Sequence, residues 1–272
     1  IHPLTVDSHT LSLFSRESRK QNKVTVTHIK VDTGMGRIGC TPEQAPGLAA
    51  LISEDPNLEL GGVCTHFPIA DVQDQTFTRK QIAVFSDVIE RIRSSGIQPG
   101  VLHAANSGAA IHCPESYFDM VRLGIALYGY YPSHDQERVL PLKPVMGLET
   151  KIVFLKRVHA GTPISYGLTY TTKRETVIAT LPIGYGDGLS RLLSRKAEVM
   201  INGYRYPIVG RICMDQTMVD LGPHPQASLY DRVVIFGPDP GSPTAEELAD
   251  LSDTIPYEIT TSISARVPRV YV

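Results

Sequence analysis

Up to about residue 132, each strand-like run is followed by a polar or glycine-bearing loop and then by a helical period. This alternation constrains the fold more than any other feature, because strands joined through helices form a parallel sheet that those helices cover. His2-Pro-Leu-Thr-Val6 reads as a short strand, and Asp7-Ser8 can cap a helix over residues 9–21. Val24–Val31 is a second, β-branched strand running into Asp32-Thr-Gly-Met-Gly-Arg-Ile-Gly39, and Thr41-Pro42 offers a cap with Pro at the first helical position. Leu58–Phe67 is a third strand. Residues 76–95 give the clearest helix, with Ile82, Phe85, Val88, Ile89 and Ile92 at helical spacing and Gly96 and Pro99-Gly100 ending it. Leu102–Ser107 is a strand before a short small-residue helix, and Met120–Gly129 is a strand and a glycine-bearing loop. The pattern predicts a parallel α/β barrel with function at the C-terminal strand ends. Only about four units are present, whereas a closed barrel takes eight and roughly 250 residues. Half a barrel leaves two open edges and an uncovered apolar interior. These 272 residues alone are therefore not expected to form a compact monomer that melts cooperatively.

After Pro132 the pattern changes. Residues 145–158, 176–183, 197–208, 211–221 and 231–236 read as strands with few helices between them, and Asn202-Gly203 is a hairpin turn. Cys213–Leu221 alternates as a half-buried strand does, Thr244-Ala-Glu-Glu247 is a capping box, and Arg266–Val272 reads as a closing strand. The expected organisation is a partial α/β barrel over 1–135 and a β-rich domain over 140–272.

Composition excludes several partners. Charged residues make up 20% and the net charge is −2, which gives no footprint for a nucleic acid. No apolar run approaches the roughly 20 residues of a membrane span, and no signal peptide is visible. Cys40, Cys64, Cys113 and Cys213 show no zinc spacing, so no metal site is expected, and free thiols point to a reducing, cytoplasmic compartment. The sequence opens at Ile1 rather than Met and reads as if it starts within a longer pattern.

The candidate chemistry sits on loops. Tyr166 lies between Ser165 and Gly167 after a strand, where a phenol can work as an acid or base or be an ordinary half-buried turn residue. Arg122 stands at a strand end before Gly124 and Ile125, whose amides can meet an anion; the alternative is a tight loop with a surface arginine. Asn106-Ser107 sits at the equivalent place, and Ser107 can bond a phosphate or cap a helix. His66 also follows a strand, as a satisfied loop histidine or a site residue. Arg37, among Gly34, Gly36 and Gly39, has the planar fork that suits a carboxylate. Lys30 shares a strand face with Asp32 and is most simply paired with it or solvated.

Taken in order, His28–Gly39, Thr65-His-Phe67, His103-Ala-Ala-Asn-Ser107, Val121–Gly129, Ser165-Tyr-Gly167, Pro182-Ile-Gly-Tyr-Gly-Asp-Gly188, Ile208–Gln216 and Arg266-Val-Pro-Arg269 closely resemble the pyridoxal-phosphate-dependent alanine racemases. The likeness covers nearly the whole chain. It implies an α/β fold: the C-terminal half of a TIM-type (β/α)8 barrel, from about the fourth strand, followed by a β-rich C-terminal domain. The implied activity is two-base interconversion of L- and D-alanine, supplying D-alanine for peptidoglycan, with pyridoxal 5'-phosphate as cofactor and a homodimer with shared active sites. Arg122 would face the pyridine nitrogen, which it cannot protonate, so the ring is a weaker electron sink and transamination is avoided. Asn106, Ser107, Gly124 and Ile125 would take the phosphate, and His66 would lie beside Arg122 and Tyr166. Tyr166 would act on the L-isomer face from the partner subunit. Arg37 and the Met214 backbone would hold the substrate carboxylate, Tyr185 would narrow the entrance, and Lys30 would be the lysine that some members carbamylate.

Two departures stand out. The family's Schiff-base lysine lies on a first barrel strand that has no counterpart here, and Ala265 stands where the best-known members have a tyrosine. The larger pocket implied by Ala265 leaves a broader small-amino-acid racemase open. The missing lysine leaves an inactive binding or scaffold protein open. A decarboxylase of the same barrel class is disfavoured, because it would want an acidic residue in place of Arg122.

Overall fold

A computed structural model describes residues 1–135 and 137–272. The chain divides into two compact units, Ile1–Ala126 with Tyr131–Pro141, and Leu127–Tyr130 with Leu142–Val272.

The first unit is a four-stranded sheet in the order β1 (Leu4–Thr5), β2 (Thr25–Lys30), β3 (Leu58–Cys64), β4 (Val101–His103), parallel throughout. Helices α1 (Ser8–Lys20), α2 (Ala45–Glu54) and α3 (Thr76–Ser94) connect the strands, and α4 (Ser107–His112) follows β4. These are the βα units counted in the sequence. The Asp7 carboxylate caps α1 by accepting from the Thr10 amide at 2.6 Å. On α3, Phe85, Val88, Ile89 and Ile92 point to one face and are buried. They pack with Ile29, Val63 and Leu102 from the strands into one apolar core. Side chains alternate along a strand, so His28, Lys30, Cys64 and His103 project from the opposite face of the sheet.

Three expectations for this unit need correction. The strand expected over Leu102–Ser107 covers only Val101–His103, and Ser107 already opens α4. Thr41-Pro42 forms a turn, in which the Gln44 amide donates to the Thr41 carbonyl, and α2 begins at Ala45 with Pro46 in its first turn. Met120 contributes only a single bridge to His103 rather than a strand. The Asp119 carboxylate takes the Leu102 amide at 2.8 Å, so a side chain fills a place that a strand carbonyl would occupy.

The second unit is built on a seven-stranded antiparallel sheet. Its strands are β5 (Leu148–Lys151), β6 (Phe154–Val158), β9 (Thr176–Leu181), β10 (Glu198–Ile201), β11 (Tyr204–Val209), β12 (Thr217–Asp220) and β13 (Arg232–Phe236). The pair β7 (Pro163–Ile164) and β8 (Tyr170–Thr171) lies apart, and α5 (Ala245–Leu251) and α6 (Pro256–Ser262) follow. The order is β5-β13-β10-β11-β12-β9-β6, so the expected single strand over 145–158 is broken into the two edge strands. Only Ile152 and Val153 separate them. Three Cα steps span at most about 11 Å, so the sheet must curl until its edges nearly meet. Asn202 and Gly203, both at positive φ, turn β10 into β11 as the sequence implied.

The expected strand over 211–221 shrinks to β12, which leaves Arg211–Gln216 as a loop. Arg266–Val272 is not a strand either. The Arg269 guanidinium donates to the carbonyls of Ile263, Ser264 and Val267, closing the segment on itself, and Pro268 has no amide to offer a ladder. No helix among the described residues is long and apolar enough to cross a membrane.

Phe85 is fully buried and meets Phe118 edge-on with ring centroids 5.2 Å apart. Phe85→Ala should therefore cost about 3–5 kcal/mol, with Phe85→Leu costing less. Urea-denaturation midpoints measure this, and equal costs for the two would contradict the packing described.

Candidate active site

At the C-terminal ends of β3 and β4, Arg122 is held by four bonds. It donates to His103 Nδ1 at 2.6 Å, the Thr65 carbonyl at 2.8 Å, the Ala104 carbonyl at 3.0 Å and His66 Nδ1 at 3.2 Å. None of these bonds uses the Nε–H. Because arginine only donates, both histidines must present an unprotonated Nδ1. Burial and then the neighbouring Arg122 charge push each of them down to about 4.

Ser107 is the first residue of α4, and its hydroxyl oxygen accepts from the amides of Gly124 at 2.9 Å and Ala126 at 3.3 Å. The cap at this helix is Asn106, not Ser107. The Asn106 oxygen accepts from Ala109 and its amide donates to the Phe67 carbonyl, so both ends of that side chain are engaged. The loop therefore gathers a hydroxyl and converging amides that a phosphate can use, and Arg122 keeps a donor for a ring nitrogen. These residues suit pyridoxal phosphate. Ile125 is buried at the start of the next helical turn.

Lys30 departs from its expected state. It is only 6% exposed, and no ion pair joins it to Asp32. The Asp32 carboxylate accepts instead from the amides of Gly34, Met35 and Gly36. Burial pushes the Lys30 ammonium down to about 8, with Arg122 and Arg37 adding repulsion. Arg37 stands exposed on the Asp32–Gly39 loop. That loop is pinned by Cys40, whose amide donates to Lys30 and whose carbonyl accepts from Asp32.

The second unit carries the other candidates. Tyr166 is 71% exposed, at the tip of a strained turn. Ser165 has φ 66 and ψ −177, a region almost reserved for glycine, and Gly167 and Leu168 are also at positive φ. The Ser165 hydroxyl holds this turn by donating to the Arg211 carbonyl at 2.6 Å. Tyr185 and Met214 lie on loops stitched together: the Tyr185 amide donates to Cys213, and the Gly186 amide to Met214. Arg266 secures the same loops through Asp215 at 2.6 Å and Asp187 at 3.4 Å. Thus the first unit brings together Lys30, His66, Ser107, Arg122 and Gly124, and the second holds Tyr166, Tyr185 and Met214.

Sequence reasoning did not single out His103, His28 or Ser165 as functional. For His103 the available signal was a polar residue at a strand end four positions before Ser107. For Ser165 no sequence signal announces a positive φ.

Comparison with known proteins decides the family. The family described as alanine racemase, N-terminal domain, matches residues 1–132, and alanine racemase, C-terminal domain, matches residues 145–271. The chain belongs to the alanine racemase family. It is 48% identical to an alanine racemase from Treponema denticola, over 100% of this chain and 73% of that protein. It is 47% identical to alanine racemase 2 from Caldanaerobacter subterraneus subsp. tengcongensis, over 94% of this chain and 66% of that protein. The chain thus spans about two thirds to three quarters of these relatives. The crystal structure of alanine racemase from a D-cycloserine-producing Streptomyces lavendulae superimposes with a TM-score of 0.93 at 37% identity, covering 99% of this chain and 72% of that one. With this relationship the fold is the TIM-type barrel half and β-rich C-terminal domain that the sequence implied.

The depressed histidines set a pH dependence. Their folded values of about 4 lie below the usual value of about 6.5. Between those values the unfolded chain binds protons that the folded chain refuses. Stability is therefore full above about pH 6.5 and falls as the pH drops toward about 4. Urea midpoints should decline between about pH 7 and about pH 5, and His103→Gln should flatten the decline. A midpoint constant over that range would contradict the neutral state of both rings.

Proposed function

We propose that this chain carries out alanine racemisation, interconverting L- and D-alanine with pyridoxal 5'-phosphate, and so supplies D-alanine for peptidoglycan. The observation that carries the reading is the Arg122 arrangement: a cation with a spare donor, fixed beside a hydroxyl and amides fit for a phosphate. When bound, the cofactor would withdraw electrons from Cα and make its proton removable.

Each residue then has a task. Ser107 and the amides of Gly124 and Ile125 take the phosphate, and Asn106 keeps α4 in register beneath it. Arg122 meets the ring nitrogen without giving up a proton, which limits electron withdrawal and favours return of a proton to Cα over transamination. His66 supports Arg122. Arg37 and the Met214 backbone hold the substrate carboxylate, and Tyr185 borders the entrance. Lys30, with its ammonium lowered by burial, has a larger neutral fraction than an exposed lysine, which is the form that carbamylation consumes. Its carbamate would orient Arg37.

Tyr166 is the acid–base group for the L-isomer face. Its strong exposure and its rigid turn suit a phenol presented outward, to the active site of the partner subunit in a cytoplasmic homodimer.

Tyr166→Phe tests the assignment in the full-length protein. Cα–deuterium exchange from L-alanine should fall by about 10²–10⁴-fold, and exchange from D-alanine much less. Equal losses from both enantiomers would show that Tyr166 does not serve one face.

A further inference from the structure

Behind Arg122 stands a row of imidazoles that the reaction described above does not use. His103 Nδ1 faces the guanidinium at 2.6 Å, His103 Nε2 faces His28 Nδ1 at 2.9 Å, and His28 Nε2 faces His2 Nδ1 at 3.3 Å. We propose that His28 is a positioning residue for Arg122: by accepting the proton of His103 Nε2, it keeps His103 Nδ1 free to hold the guanidinium.

The direction of the row follows from Arg122, which has no acceptor. His103 Nδ1 must therefore be bare. A neutral imidazole carries one proton, so it sits on Nε2 and is donated to His28 Nδ1. His28 in turn carries its proton on Nε2. Every proton in the row points away from Arg122. If His103 moved its proton to Nδ1, two donors would face each other and the shortest of the Arg122 bonds would be lost.

The strand beside His28 is built to admit it. Gly61 and Gly62 lie side by side inside β3, where glycine weakens a strand and marks a close approach. A Cβ at Gly62 would stand 2.3 Å from the Val101 carbonyl oxygen and 2.6 Å from His28 Nδ1, and one at Gly61 would stand 2.4 Å from Val26 Cγ1 and 3.0 Å from His28 Nε2. The pairing of β2 with β3 also shifts register here: Thr27 faces Leu60 and His28 faces Gly62, so Gly61 is the extra residue on β3 and both glycines lie against His28. His28 and His103 are both buried, and the rings meet edge to face with centroids 5.1 Å apart.

The charges around the row agree with neutral rings. Arg122 and Lys30 are the cations that act on His103, and Arg37 acts on Lys30 and His66. His2 repels a charge on His28, and burial pushes the Cys64 thiol up. Burial lowers both His28 and His103 first and foremost.

The role in catalysis rests on the function proposed above, but the proton positions do not, so the two can fail separately. Long-range ¹H–¹⁵N spectra of the full-length protein, histidine-labelled and with pyridoxal phosphate removed, read the tautomers directly. His103 should carry its proton on Nε2 from about pH 5 to about pH 8, and His28 should carry its proton on Nε2 at about pH 8 and gain a second one only below the usual histidine range. A proton on His103 Nδ1, or ordinary titration of both rings near about 6.5, would overturn the proposal. In His28→Leu, His103 should lose its single tautomer and titrate at higher pH. In the cofactor-loaded enzyme, kcat should fall about 10-fold, with KM little changed and the acid limb of the pH profile moved upward. His28→Asn, whose Oδ1 can accept in place of Nδ1, should restore all of these. A His28→Leu protein with wild-type tautomer and pH profile would overturn the proposal. If His28→Leu does not fold, the tautomers of the unsubstituted protein decide.

Discussion

A guanidinium can neither accept a hydrogen bond nor shed its charge at ordinary pH, and the strand ends of the first unit are organised around that fact. Arg122 reaches two carbonyls, Thr65 and Ala104, and two imidazoles, His66 and His103. Each partner has to be an acceptor. The histidines are therefore neutral, and Lys30, close by and buried, is pushed toward neutrality as well. Burial is the larger cause of their neutrality, and the one fixed charge adds to it.

The sequence made the local signals legible. The Asp7 cap, the amphipathic period of α3, the Asn202-Gly203 turn and the Thr244 cap all depend on residues within a few positions of one another, and each appears where expected. What stayed hidden depends on distant partners. Lys30 and Asp32 share a strand face, but three loop amides claim the carboxylate and the lysine is left in the interior. Ser107 could be read as a helix cap or a phosphate ligand; Asn106 takes the cap and leaves the hydroxyl to gather amides from a loop seventeen residues on. Arg266–Val272 has the composition of a strand, but Arg269 folds it back onto the carbonyls of Ile263 and Ser264 and takes that of Val267.

The two units place their candidate groups by different means. In the first, the candidate side chains lie at the ends of parallel strands, where the sheet fixes their spacing. In the second, Tyr166 stands on a backbone conformation that Ser165 adopts at a cost and that its bond to Arg211 maintains. Ala265 remains the departure from the family pattern, and it lies exposed on a turn just past α6.

The curled sheet of the second unit has a consequence for synthesis. Its two edges are neighbours in sequence, yet β5 pairs with β13, more than eighty residues later. As the chain leaves the ribosome, β6 can join β9 early, while β5 waits with its amides and carbonyls unanswered until Arg232–Phe236 emerges. Closure of the ring is therefore a late, long-range event, of the kind that slows folding and exposes an edge to foreign strands. The same joint that makes the finished sheet nearly seamless makes the nascent one vulnerable for most of its length.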